Sequence, residues 1–186
     1  MNSDAPPTLA FCRRWLEKAA QYDDSTLEGA FDKFFSLFVA FNRLYSYVNR
    51  HAAQPAKEDR GQAITVFSKA LGARRLLDAL TSGNGAADIH VLRDLIGPCG
   101  EFFLISESGR GSSDTIENWR LFENLNSTSR CEQVNAVLTY LYLVRCNMFH
   151  GAKDFEHRQL KIIRPSVRVL ERVIRAGLSV VEADAV

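Results

Sequence analysis

The residues best placed to do chemistry are Arg145 and His150, at the end of the segment Val134–His150 (VNAVLTYLYLVRCNMFH). A histidine can take the proton from a ribose hydroxyl or give one to a leaving oxygen. A guanidinium can stabilise the charge that builds on phosphorus oxygens in the transition state. Together these groups suit phosphodiester cleavage, and neither role needs a metal or cofactor. At a helix C-terminus the charged form of His150 is favoured by the dipole, by up to ~2 kcal/mol in partly buried geometries. The bland reading of the same pair is that both side chains cap carbonyls at the helix end.

The element that must carry them is unusual. Between Val137 and Val144 the segment is apolar almost all round. A helix without a wet face has to be enclosed, either as the central helix of a bundle or by a second subunit. On a regular helix His150 points about 140° away from Arg145. The two converge only if the last turn loosens near Gly151, or if a second copy of the helix supplies the opposite partner. Gly151 itself reads as a left-handed stop.

The surrounding pattern is helical throughout. Leu9, Cys12, Leu16 and Ala19 predict a first helix after Pro6 and Pro7. Ser25, with Glu28 as reciprocal partner, predicts the cap of a long second helix from about Thr26 to His51. Its apolar face would be Phe31, Phe34, Phe35, Phe38, Phe41 and Tyr45. A third helix is expected over about 58–80 with Gly72 inside it, and a short one over 86–96 stopped by Gly97-Pro98. Residues 101–107 (EFFLISE) read equally as helix or buried strand. Residues 109–113 read as a loop, and Asp114 as the cap of a helix through Leu125. The next helix is expected from about Arg130. Pro165 is expected at the first position of the last helix, whose buried stripe would be Val167, Leu170, Ile174, Leu178 and Val181. The expected fold is all-α: a single-domain bundle of about six or seven helices spanning residues 1–186.

Arg145-Cys146-Asn147-Met148-Phe149-His150-Gly151, ending a long apolar helix, resembles the R-x4-6-H signature of HEPN domains. The preceding Tyr140–Arg145 stretch and the segment Phe38–Tyr45 (FVAFNRLY) are similar to that superfamily as well. The resemblance implies a helical bundle that forms a homodimer, with two such motifs facing each other across a cleft. It also implies metal-independent endoribonuclease activity on single-stranded RNA, in toxin–antitoxin, phage-defence or RNA-processing systems. Arg145 and His150 would be the catalytic pair. Cys146 stands where the family usually carries a polar residue, and Asn147, one position later, would orient or bind phosphate. A subgroup has a tyrosine two residues after the histidine, nucleotidylated by an antitoxin partner. Ala152 stands there in this chain. The alternative within the same fold is a non-catalytic dimerisation module that binds a nucleotide or a protein.

Composition bounds these readings. The chain has 186 residues, 46% hydrophobic and 24% charged, with 23 Lys+Arg against 22 Asp+Glu. That excludes a disordered tail, a disulfide mini-protein and a histone-like polycation. With no global field, any basic surface must be local. The stretch 153–175 supplies one, with seven Lys/Arg against three acids. Within it Lys153, Arg168, Arg172 and Arg175 are the candidate RNA contacts, the three arginines sharing a helix face. A solvated face is the plainer reading of the same stripe. His157 is close enough to the motif to be a further substrate contact. The four cysteines (12, 99, 131, 146) and four histidines show no metal-ligand spacing. No signal peptide or membrane span is expected, and the setting expected is cytoplasmic.

Overall fold

The computed structural model describes residues 5–98, 100, 112–149 and 157–184, and among these the regular structure is helical with no strand. The first helix, α1 (Ala5–Ala19), carries Pro6 and Pro7 in its first turn. Their missing N–H groups cost nothing there, because the first N–H groups of a helix have no partner in any case. The second, α2 (Leu27–Arg50), is capped by Thr26, whose hydroxyl accepts from the Gly29 N–H at 3.1 Å. The cap therefore lies one residue beyond the expected Ser25. Ser25 is engaged instead by Asp23, donating through its N–H (2.9 Å) and its hydroxyl (2.7 Å). Three residues after Thr26 stands Gly29, so the capping box expected with Glu28 has no side chain to close it.

Helix α2 is the spine of the core and lies between α1 and the last helix. Phe34, Phe38, Phe41 and Tyr45 are buried, and Phe41 meets Phe38, Tyr45 and Phe67 edge-on at 5.1–5.7 Å between centroids. Such pairs contribute about 0.5–1.5 kcal/mol each beyond burial. The face is narrower than the sequence suggests. Phe31 is half-buried and Phe35 is 37% exposed, because both lie on the edge of the stripe.

The third expected helix is broken. It comprises α3 (Asp59–Gly61), a π-helical turn (Gln62–Val66), α4 (Phe67–Leu71) and α5 (Ala73–Thr81). Gly72 makes the break with φ 80° and ψ 126°, a conformation only glycine adopts without strain. The reason is burial. Leu71 and Leu76 point about 140° apart on a continuous helix, yet both are buried. The break turns each toward the core. Helix α6 (Gly85–Ile96) ends at Gly97 as expected. Helix α7 (Ser112–Leu125) starts two residues before Asp114, which is therefore inside the helix rather than its cap. The segment 101–107 and the Gly151 stop lie outside the described residues.

Helix α8 (Arg130–Phe149) is enclosed as its composition requires. Ser129 opens it, accepting from the Glu132 N–H at 3.4 Å. From 133 to 148 no residue is exposed. The enclosure comes from this chain's own α5, α7 and π-helical turn, so a second subunit is not needed to seal it. Helix α9 (Leu160–Asp184) begins five residues before Pro165 and holds that proline inside. Pro165 has no N–H for the Lys161 carbonyl. The next residue, Ser166, donates its hydroxyl to the Ile162 carbonyl at 2.6 Å. Burial of Leu160 and Ile163 upstream keeps the helix running through the defect. All five residues of the expected α9 stripe are buried.

Where α9 crosses α2, Gly177 is buried. A Cβ there would lie 2.4 Å from Leu44 Cδ2 and 3.0 Å from Phe67 Cζ. Alanine would gain about 1 kcal/mol of helix propensity, but overpacking of a filled core costs typically about 1–3 kcal/mol. Gly177→Ala is expected to lower the denaturation midpoint, and the larger Gly177→Val to lower it further. Chemical denaturation of the three proteins checks this; an unchanged or raised midpoint for Gly177→Ala contradicts the close approach.

Candidate functional site

The last turns of α8 bring Tyr142 and Arg145 onto one side, three residues apart. They face Phe38, Asn42 and Tyr45 of α2 and Asp59 of α3. The Arg145 guanidinium carbon lies 5.7 Å from the centre of the Phe38 ring and 5.8 Å from that of Tyr142. Both distances are within the range of cation–π attraction. Two rings thus hold a half-buried guanidinium at a fixed place near the helix end. Its Nη1 is also 3.9 Å from the Cys146 sulfur.

Beside it, Asp59 joins three helices. The Tyr45 hydroxyl donates to Asp59 Oδ1 at 2.6 Å, and the Tyr142 hydroxyl donates to Oδ2 at 3.0 Å. Asn42 Nδ2 donates to the Tyr45 oxygen at 2.6 Å. Tyr45 is wholly buried, whereas Asn42 and Asp59 are exposed. The cluster is therefore rooted in the core and open to solvent at its rim. Burial first, then the Asp59 hydrogen bond and charge, push the Tyr45 phenol far above its ordinary range; Arg145 opposes them. Burial, then the Asp59 charge and hydrogen bond, push Tyr142 up to about 12, again against Arg145. Both phenols are neutral donors near neutral pH, and Asp59 is their acceptor.

Of the residues expected to do chemistry, Arg145 is therefore held in an oriented, partly accessible position. Asn147 is half-buried on the next turn. His150 and Lys153 lie outside the described residues. The basic stripe on α9 has a second occupation. Arg168 Nε donates to Asp88 Oδ1 at 2.6 Å, and Arg172 Nε is 4.0 Å from the other oxygen of that carboxylate. Arg172 also donates to the Ser82 carbonyl at 3.0 Å. Arg175 pairs with Glu171 at 2.6 Å. Asp88 is buried on α6, so Arg168 and Arg172 tie α6 to α9 and part of their charge is spent inside the molecule. His157, on a 3-10 turn (His157–Gln159), is exposed. Among the described residues no three His, Cys, Asp or Glu side chains are grouped so as to hold a metal ion.

Sequence reasoning passed over Asn42, Tyr45, Asp59 and Tyr142 as site residues. The spacing of Asn42 with Tyr45, and of Tyr142 with Arg145, places each pair on a shared helix face. Nothing in the sequence joins the pairs, because Asp59 lies 14 residues from Tyr45 and 83 from Tyr142.

The raised phenols give a pH signature. In the unfolded chain Tyr142 ionises near its ordinary 10.0, in the folded chain near 12. Its contribution to stability is complete below pH 10 and is lost as pH rises toward 12. Unfolding free energy is expected to fall through that window. Tyr142→Phe removes one titrating group, so its slope there is expected to be shallower than that of the wild type. Denaturant titrations at several pH values measure both slopes; equal slopes would show that the Tyr142 phenol is not perturbed.

No family model matches the chain, and no curated protein or solved structure matches it either.

Proposed function

We propose that the protein is a metal-independent endoribonuclease of the HEPN type that cleaves single-stranded RNA as a homodimer, in a toxin–antitoxin or phage-defence setting. The observation that carries this reading is the placement of Arg145. A guanidinium gripped by Phe38 and Tyr142, half-buried at the end of an enclosed helix and five residues before His150, is pre-oriented for charge that develops on a phosphoryl group. His150 takes the proton from the ribose 2′-hydroxyl as its oxygen attacks phosphorus, and a protonated histidine returns one to the departing 5′-oxygen. The products are a 2′,3′-cyclic phosphate and a free 5′-hydroxyl. Arg145 neutralises the non-bridging oxygens and Asn147 orients them. Pairing of two copies supplies the second histidine. The free thiols of Cys12, Cys131 and Cys146 suit a cytoplasmic setting. No helix among the described residues is long and apolar enough to cross a membrane.

One observation favours the second reading, a binding module without catalysis. Cys146 stands directly after Arg145, where the family usually carries a polar residue, and its sulfur is 3.9 Å from the guanidinium. Such a module would keep the helical dimer and use Arg145 only to hold a phosphate.

With EDTA present, the wild type is expected to cut unstructured RNA. His150→Ala and Arg145→Ala are each expected to slow the cut by about 100-fold or more, the usual scale for losing a general acid–base group or an oriented charge. Sedimentation is expected to show a dimer. Cleavage that both variants retain in full sinks the assignment; a dimer that binds RNA without cutting it selects the second reading.

A further inference from the structure

The aspartate beside Arg145 is held more firmly than an exposed residue requires. The linker that leads to it is pinned to α2. Asn49, buried on α2, donates through Nδ2 to the Ala56 carbonyl at 3.1 Å and accepts from the Ala56 N–H at 2.8 Å. Three residues on, Asp59 opens α3, and the π-helical turn that follows packs against both α2 and α8. Turns of that kind are rare and recur at functional sites. The carboxylate is thus fixed from behind, between two helices. Each of its oxygens accepts one phenol. Oδ1 takes that of Tyr45 on α2 at 2.6 Å, and Oδ2 takes that of Tyr142 on α8 at 3.0 Å. Asn42 extends the chain by donating to the Tyr45 oxygen at 2.6 Å. One of the two phenols belongs to the ring that faces the Arg145 guanidinium, 5.8 Å from its centre.

We propose that Asp59 is a positioning residue for Arg145, acting through Tyr142. A hydrogen bond at the far end of the Tyr142 ring stops the side chain from swinging about its Cα–Cβ bond. It thereby sets the face against which the guanidinium rests. A hydroxyl that donates to an anion also passes electron density into its ring. The ring face becomes more negative, and its pull on a cation grows. Phe38, the second ring within reach of the guanidinium, has no hydroxyl, and the α2 core sets its place. Of the two rings, only Tyr142 can be tuned in this way. Its phenol stays protonated up to about 12, so the donor persists through neutral pH. Asp59 acts on the cation, not on a substrate. The placement of Arg145 stands apart from any reaction; its kinetic consequence rests on the ribonuclease reading.

Nitrogen-15 relaxation of the Arg145 Nε–H, measured on the full chain without RNA, tests the positioning. That nitrogen is shielded from solvent, and Arg145→Lys identifies its signal by loss. An order parameter of about 0.85 marks a rigid group and one below about 0.6 a flexible one. The wild type is expected near the rigid end. Tyr142→Phe keeps the ring and loses only the hydroxyl, and Asp59→Ala loses the acceptor. Each is expected to drop to the flexible end. Asp59→Asn keeps an acceptor without the charge and is expected to lie between. Ser68→Ala removes a hydrogen bond onto α8 at Asn135, about 15 Å along the helix from Arg145, and is expected to match the wild type. Equal order in Tyr142→Phe and the wild type overturns the proposal, and decides it even where Asp59→Ala does not fold. Equal loosening in Ser68→Ala also overturns it, because the effect is then one of general stability. Where the chain cuts RNA, Tyr142→Phe and Asp59→Ala are each expected to lower kcat about tenfold or more, with KM within about twofold. The double variant is expected to be no slower than Asp59→Ala alone, since both changes break one bond; additive losses count against the proposal. A wild type that leaves RNA intact sinks the ribonuclease assignment, and the relaxation result then decides this one by itself.

Discussion

The aromatic ladder on α2 is the constraint from which the rest of the arrangement follows. Phe41 meets three neighbouring rings edge-on, two on its own helix and Phe67 on α4. Those contacts set how close α4 and α9 come to α2, and at Gly177 they leave room for a backbone but not for a methyl group. The ends of the same ladder serve the site. Phe38 offers a face to Arg145 and Tyr45 offers a hydroxyl to Asp59. Core packing and site geometry are thus one set of contacts, and a cation on α8 is positioned by rings whose main work is to fill the interior.

Enclosure of α8 follows from its composition but is achieved economically. Helices α5 and α7 and the π-helical turn surround it, and Ser68 donates to Asn135 Oδ1 at 2.7 Å, satisfying a polar group near the start of the enclosed stretch. After Arg130 and Glu132 in its first turn, the helix presents charge only at Arg145, toward its C-terminal end. An enclosed helix thus holds an oriented guanidinium near its end through contacts of the core itself.

The helices that carry strong three-to-four periodicity were legible from the residues alone: α1, α2 and the Val167–Val181 stripe of α9; α8 was legible from its apolar run instead. What escaped was set by contacts distant in sequence. Pro165 reads as a helix start because a proline inside a helix is costly; buried Leu160 and Ile163 and the Ser166 hydroxyl offset that cost. Gly72 reads as a tolerated interruption until Leu71 and Leu76 are both seen to need burial. Thr26 takes the cap because Asp23 has already claimed Ser25. At the site, Arg145 stood out as a charge on an apolar helix. Its companions did not, since a tyrosine in an aromatic stripe looks like core until an aspartate from another helix meets its hydroxyl.

Pro165 has one more effect. By interrupting the main-chain ladder between residues 161 and 165, it divides α9 into a short leading coil and a long trailing one. Opening of the leading coil would break few main-chain bonds and leave the trailing stripe packed, so the two parts are expected to exchange amide hydrogens as separate units. Lys161 and Arg164 ride on the leading coil, while Arg168 and the buried stripe ride on the trailing one.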